Sequence, residues 1–300
     1  SVILEKNKIT GGLCRSFNFN NVIYDIGPHI IFSKNKDILN FHTELIETNI
    51  IKRGNSIFFK GKFVKYPFEN DLYSLPPKDK EYCLNEFLNN PYEDYNPKNM
   101  LQFFLKTFGE GITRLYLQPY NEKIWKFDSS CMDLQMVSRI PKPPKEDVIN
   151  SSKGISTEGY KHQLFFHYPK AGGIQSLVNA YEERIKDKTK IIKSVIIESV
   201  SKVNEDWIIK TKNKGEMHFK NLINCMPIHE LFKYLKAPKQ ITKTLNNLLY
   251  NSIYIVMINI KKDKIGDRFS INVPDKDIIF HRLSKLQFLG DNYKNTDGST

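Results

Sequence analysis

Arginine is scarce in this sequence: seven residues, within a combined lysine and arginine total of 45. The formal net charge of +12 is therefore carried mostly by dispersed lysines, set among many asparagines and isoleucines. The planar guanidinium fork is the usual two-pronged reader of phosphates and bases, so its scarcity argues against a nucleic-acid partner. We read the charge as solvated surface. Cysteine is equally sparse. Cys14, Cys83, Cys131 and Cys225 lie far apart and form no CxxC pair, which argues against a disulfide framework and a zinc site. No metal is expected, and a reducing, cytoplasmic setting fits. No apolar run reaches the roughly 18 residues that would suggest a transmembrane helix; the longest stretches, such as 253–260, have strand length. A charged leader with an apolar core and cleavage site is also missing at the start, so Ser1–Leu4 does not read as a signal peptide. The sequence opens inside a folded element and stops without a closing signal, and we expect a piece of a longer chain.

What is present is an ordinary globular composition, 40% hydrophobic and 26% charged over 300 residues, enough for about two domains. Ser1 to Glu5 reads as a short buried strand ending in an acid, followed by a Gly11-Gly12 turn. Phe17 to Tyr24 alternates around Asn20-Asn21 as a hairpin, and Ser56 to Val64 does so around Lys60-Gly61-Lys62. Asp37 to Ile46 has the spacing of an amphipathic helix. Residues 69–98 read as helical pieces joined by loops. Met100 to Trp125 is the best helical region, broken at Gly109-Glu110-Gly111 and at Pro119. Residues 141–160, rich in Pro, Ser, Gly and Lys, read as a mobile loop or lid. Leu164 to Phe166 is a short strand, and Gly172-Gly173 opens a helix from Ile174 to Ile185. Further strands are expected near 190–200, 207–212, 221–225 and 253–260. Those near 190–225 should rejoin the sheet begun by residues 1–5.

This alternation predicts an α/β fold with two interleaved domains. A strand ending in an acid, here Glu5, has the place of the second strand of a Rossmann-type unit, whose carboxylate accepts the ribose hydroxyls of an adenine dinucleotide. The glycine-rich fingerprint belongs about 20 residues earlier, before this sequence begins. Gly11 and Gly12 permit positive φ and let backbone amides point at a diphosphate.

Three ordered segments carry a resemblance: Leu4-Glu5-Lys6, then Gly11-Gly12-Leu13-Cys14-Arg15-Ser16-Phe17, then Tyr24-Asp25-Ile26-Gly27-Pro28-His29. Together they are similar to the start of the amine oxidase/protoporphyrinogen oxidase-like flavoproteins, a superfamily that includes UDP-galactopyranose mutase. Pro119-Tyr120-Asn121-Glu122-Lys123-Ile124-Trp125 resembles a Tyr-Thr-Glu-Lys-x-Trp-Gly signature of the mutases and their relatives, with Asn121 and Lys126 departing from it. Ser138-Arg139-Ile140-Pro141, Tyr168-Pro169 with Gly172-Gly173, and Val200 to Val203 continue the likeness.

The resemblance implies a Rossmann-like FAD-binding domain interleaved with a mixed α+β substrate domain. Residues 1–55 and 164–235 would form the FAD-binding parts, and 56–163 and 236–300 the substrate parts. FAD is the implied cofactor, with Glu5, Gly11, Gly12, Arg15, Gly27, Pro28, His29 and Val200 as its binding set. His29 would stand beside the flavin ring as the catalytic residue, where an imidazole can donate a hydrogen bond or take a proton. Tyr120, Arg139 and Arg282 would face a small-molecule substrate, with arginine suited to phosphate. The implied activity is an FAD-dependent oxidoreductase; a sugar-nucleotide mutase using reduced FAD, or a non-catalytic binding protein of the same fold, are the other readings. Lys142-Pro143-Pro144 lacks the second basic residue expected after the Arg-Ile-Pro step of a mutase.

Overall fold

A computed structural model describes residues 1–137, 140, 142–157 and 164–294. In chain order the strands are β1 (Val2–Leu4), β2 (Ser16–Phe19), β3 (Val22–Asp25), β4 (Thr48–Lys52), β5 (Asn55–Phe59), β6 (Lys62–Lys65), β7 (Phe165–Pro169), β8 (Lys190–Ile192), β9 (Ile197–Val203), β10 (Asp206–Thr211), β11 (Gly215–Phe219), β12 (Ser270–Asn272) and β13 (Arg282–Ser284). The helices are α1 (Lys36–Thr43), α2 (Pro77–Leu88), α3 (Met100–Ile112), α4 (Gln118–Trp125), α5 (Lys145–Ser152), α6 (Gln175–Ile185), α7 (Ile228–Tyr234) and α8 (Lys239–Asn246). The fold is α/β, as expected. It divides into two compact units, one of Ser1–Ser16 with Ile174–Ile255, the other of Phe17–Gly173 with the chain from Val256 on.

In the first unit, β1 pairs in parallel with β8, Val2 opposite Lys190 and Leu4 opposite Ile192. Parallel neighbours so far apart in sequence are the signature of a crossover connection. The strand expected at residues 1–5 is therefore present, but it is not buried: Val2 and Ile3 are 37% and 40% exposed, because β8 is its one partner among the described residues. β9, β10 and β11 form their own antiparallel sheet in the order β11-β10-β9, so only β8 rejoins β1. Two expected strands do not form. Residues 221–225 are irregular. Residues 253–260 are irregular as well, with Tyr254 92% and Val256 77% exposed. An apolar run acquires strand geometry only when a neighbouring edge takes up its N–H and C=O groups, and no ladder among the described residues includes this one.

The second unit holds a four-stranded sheet in the order β13-β12-β5-β6. Both expected hairpins form. Asn20 and Asn21 have φ of 50° and 63°, and Lys60 and Gly61 have 46° and 80°. Two consecutive residues at positive φ match the right-handed twist of the flanking strands. α1 starts where Asn35 accepts from the N–H groups of Asp37 and Ile38, satisfying two otherwise orphan donors. The main core joins β5 and β6 to the helical block through Ile57, Val64, Phe68, Phe104, Phe108 and Ile112, each at most 1% exposed. Burying one such side chain contributes about 1.5–3 kcal/mol. α2 and α3 cross closely at Gly109 and Gly111; Gly109 is non-helical at φ 72° and ψ 174°, which is the break read at that point. A π-helical stretch, Thr113–Leu117, then leads into α4, which carries its proline in the first turn. Cys83 of α2 lies in this core, where burial pushes its thiol up to about 12 and leaves it protonated at neutral pH.

The loop or lid expected over 141–160 is corrected in its centre. Lys145–Ser152 is helix α5, opened by Pro144 and carrying Glu146 and Asp147 in its first turn, where acids meet the positive end of the helix dipole. Val148 is fully buried, and the Ser151 hydroxyl donates to the Glu69 carbonyl at 2.7 Å. Residues 141 and 158–160 lie outside the described set.

Candidate functional site

In the first unit, the Glu5 N–H donates to the Ile192 carbonyl at 2.9 Å, extending the β1–β8 ladder by one residue. The side chain is set locally. Its Oε1 accepts from the Asn7 backbone N–H at 2.7 Å and from Asn7 Nδ2 at 2.9 Å. Oε2 has no protein partner among the described residues and is available to accept a ligand hydroxyl. Beyond it, Gly11 and Gly12 have φ of 115° and 57°. A Cβ at Gly11 would press on Val178 of α6 at 3.2 Å, whereas one at Gly12 would meet nothing within 4 Å. Gly11 is thus favoured by its positive φ in tight surroundings, while Gly12 presents open backbone. Arg15 clamps this turn, donating Nε to the Gly12 carbonyl at 2.8 Å. Thr10 donates its hydroxyl to Glu182 of α6. Val200 is buried in β9 opposite Ile209 and bridges to Leu235.

In the second unit, β3 ends at Asp25, which is 4% exposed. The Tyr168 hydroxyl, from β7, donates to Asp25 Oδ2 at 2.7 Å, and the His29 backbone N–H points at the same oxygen at 3.5 Å. Gly27, at φ 73°, turns the chain so that Pro28 and His29 follow. Nδ1 of His29 is buried without a hydrogen-bond partner among the described residues. Tyr293 closes the other side of Tyr168. Their rings lie 5.2 Å apart, and the Tyr293 hydroxyl donates to the Pro169 carbonyl at 2.8 Å while accepting the Gly173 N–H at 3.1 Å. Burial and then the Asp25 carboxylate push the Tyr168 hydroxyl far above its ordinary range. Burial also raises Tyr293, to about 12, against the opposing Gly173 N–H. Both phenols stay protonated and act as donors at any physiological pH.

Two of the expected substrate residues, Tyr120 and Arg282, lie in the second unit. Tyr120 stacks on Tyr116 at 5.3 Å and Tyr116 on Phe68 at 5.0 Å, and the Tyr116 hydroxyl accepts from Asn272 at 3.1 Å. Burial raises the Tyr120 hydroxyl, and the Arg282 guanidinium opposes that rise, so Tyr120 and Arg282 share one electrostatic neighbourhood. Arg282 is the first residue of β13 and is exposed. Arg139 lies outside the described residues. Lys123 underlies the cluster, donating Nζ to the Val273 carbonyl at 2.9 Å and also to that of Asp275.

His281 stands beside these cations. Burial, then Arg282, Lys123 and Lys126, lower its pKa below 6.5. The folded protein therefore resists a proton that the unfolded chain accepts. Its contribution to stability is complete above about pH 6.5 and is lost as pH falls through the lower folded value. We expect the urea midpoint to fall on acidification from pH 7.5, and His281→Gln to flatten that fall. An unchanged pH profile in the variant would remove His281 from this account.

Several residues of these clusters escaped sequence reasoning. Asn7 fixes Glu5, Tyr168 holds Asp25 with Tyr293 packed against its ring, and Asn272 bonds Tyr116. The usable signals were slight: an Asn two places after the acid, and an Asp two places before the Gly-Pro-His turn. Among the described residues, no group of three or more His, Cys, Asp or Glu side chains could hold a metal ion, and no helix is long and apolar enough to cross a membrane.

Comparison with known proteins bears on the whole of the chain. Residues 1–45 match the NAD(P)-binding Rossmann-like domain. A crystal structure of reduced UDP-galactopyranose mutase superposes on 99% of the chain with a TM-score of 0.85 at 22% identity, and the chain spans 66% of its length. An oxidoreductase from Methanosarcina mazei matches over 99% of this chain and 71% of its own, with TM-score 0.64 and 13% identity. A protoporphyrinogen oxidase-like protein from Exiguobacterium sp. 255-15 covers 92% of this chain and 64% of its own, with TM-score 0.62 and 13% identity. The chain has the fold of reduced UDP-galactopyranose mutase, shared more distantly with the protoporphyrinogen oxidase-like protein, and its first 45 residues are similar to an NAD(P)-binding Rossmann-like domain.

Proposed function

We propose that the protein is an FAD-dependent oxidoreductase acting on a small-molecule substrate, with residues 1–55 and 164–235 contributing the cofactor-binding parts and 56–163 and 236–300 the substrate parts. The observation that carries this is His29, whose buried Nδ1 lacks a protein partner among the described residues while its backbone is anchored at Asp25. A buried ring nitrogen left unpaired is costly, and a polar ligand edge would satisfy it. In the first unit, the open Gly12 backbone and the unpartnered Oε2 of Glu5 suit a diphosphate and a ribose. Arg15 holds the glycine turn in shape, and Val200 would offer backbone to adenine. In the second unit, Gly27, Pro28 and His29 would border the flavin ring. When bound, FAD supplies the electron acceptor for a hydride leaving a C–H or C–N centre. The protein's share is to orient the substrate at Tyr120, Arg139 and Arg282 and to hold or move a proton at His29.

A sugar-nucleotide mutase is the second reading, favoured by the 0.85 TM-score to the reduced mutase over 99% of the chain. The departure at Lys142-Pro143-Pro144 keeps it second.

The test is the visible spectrum of the purified protein, with the released cofactor identified by mass. We expect a flavin spectrum and the mass of FAD. Glu5→Gln should weaken FAD binding about 10-fold or more, since a carboxylate accepting ligand hydroxyls is worth about 1.5–3 kcal/mol. Protein without flavin under every condition of expression and reconstitution would refute the reading. Interconversion of UDP-galactose ring forms by the reduced protein, with no net oxidant consumed, would establish the mutase instead.

A further inference from the structure

A cavity of about 220 Å³ opens in the second unit between the β4–β5 connection, the end of β6 and residues 267–268. Its wall carries four cations, Lys52, Arg53, Lys65 and Arg268, against one carboxylate, Asp267. Gly54 makes the enclosure possible: a Cβ there would lie 2.9 Å from the Asp267 carbonyl, and the Phe269 N–H bonds the Gly54 carbonyl at 2.7 Å.

The cations are not equivalent. Lys65 is engaged, donating Nζ to the Thr157 carbonyl. Arg268 donates to the Ile265 carbonyl at 2.6 Å and lies 4.1 Å over the Phe63 ring. Arg53 is different. Its guanidinium lies 5.2 Å from the Phe32 ring centre, yet Nε and Nη2 are both buried without a hydrogen-bond partner among the described residues. Asn55, also on the cavity wall, has its Oδ1 buried and unpartnered. Nε and one Nη are the pair with which a guanidinium grips two oxygens of one anion. An arginine cannot shed its charge to relieve burial, so an orphaned fork in a positive cavity calls for an oxyanion.

We propose that this cavity is an oxyanion-binding site, in which Nε and Nη2 of Arg53 take two oxygens of a phosphate or carboxylate and Asn55 bonds an adjoining group of the same ligand. Arg268 and Lys65 add positive field from the rim. The size suits a compact anionic group. The proposal stands on the second unit's own geometry, so a failure of FAD binding leaves it intact.

Isothermal titration of the whole protein with inorganic phosphate and, separately, acetate tests it. Saturable uptake of either is expected; phosphate alone identifies a phosphorylated ligand, and acetate alone a carboxylate. Arg53→Gln should weaken the bound anion about 10- to 100-fold, and Arg53→Lys, which keeps the charge but loses the fork, by about 3- to 10-fold. Asp267→Asn alters an exposed residue away from the core and should tighten binding about 2- to 5-fold by removing the single negative charge. It carries the test if Arg53→Gln does not fold. Absence of saturable uptake at millimolar anion, equal affinity with and without Arg53, or no gain in Asp267→Asn would each overturn the proposal.

Discussion

Replacing Gly109 by alanine will cost about 2–6 kcal/mol of folding free energy. Gly109 sits at φ 72° and ψ 174°, a region open essentially to glycine alone, and forcing another residue into it costs about 1–3 kcal/mol. The added Cβ would also lie 2.2 Å from the Glu86 carbonyl oxygen and 2.7 Å from its carbon. These are backbone atoms of α2 and cannot swing aside as a side-chain tip could, so α2 and α3 must separate and open the core around Phe104 and Phe108. Against a domain stability of about 5–15 kcal/mol, that is a large share. Gly61→Ala is the control. Gly61 also has positive φ, at 80°, but a Cβ there meets nothing within 4 Å, and its cost should be about 1–2 kcal/mol. Urea unfolding of both variants decides the matter, and equal midpoints would show that the helix crossing is not held at this contact.

Tyr168→Phe is expected to cost about 1.5–3 kcal/mol, the range for a hydrogen bond to a charged group. The phenol donates at 2.7 Å to a carboxylate that is 4% exposed, and phenylalanine fills the same space without that donor. If the donor's partner is the source of the loss, Tyr168→Phe should cost much less in an Asp25→Asn background, where no charge needs compensating. The same change should loosen the Gly27-Pro28-His29 turn, because the His29 N–H points at the same Asp25 oxygen. Faster amide exchange at Ile26–Ile30 in Tyr168→Phe would register this. Additive costs in the double variant would mean that the two side chains do not act as a pair.

Local chemistry was legible in the sequence where it is written within a few residues. The Asn20-Asn21 and Lys60-Gly61 turns, the break at Gly109 and the Gly27-Pro28-His29 bend each appear at the expected place, because φ preference belongs to the residue itself. Partners distant in sequence were not legible. Asp25 and Tyr168 are 143 positions apart, and neither announces the other. Residues 253–260 show the limit of apolarity as a signal: it expresses a tendency to be covered, not the presence of a strand to pair with. At α5, Pro143 and Pro144 read as loop, yet Pro144 stands at the helix start and the Glu146-Asp147 pair behind it was the better guide. The Arg53 cavity was invisible for another reason. It depends on Gly54 admitting the backbone of residues 267–269, a closeness that no run of neighbouring residues encodes.

The parallel pairing of β5 with β12, Ser56 opposite Ile271, sets a timetable for the newborn chain. Translation proceeds at about 5–20 residues per second, so the edge of β5 waits about 10–40 s for its neighbour to leave the ribosome. Until then the β5–β6 hairpin and the aromatic helices behind it offer an open flank to any passing strand. A holding chaperone during that interval, or slower growth temperature during expression, should raise the yield of folded protein more than either would for a chain whose sheet is complete within its first hundred residues.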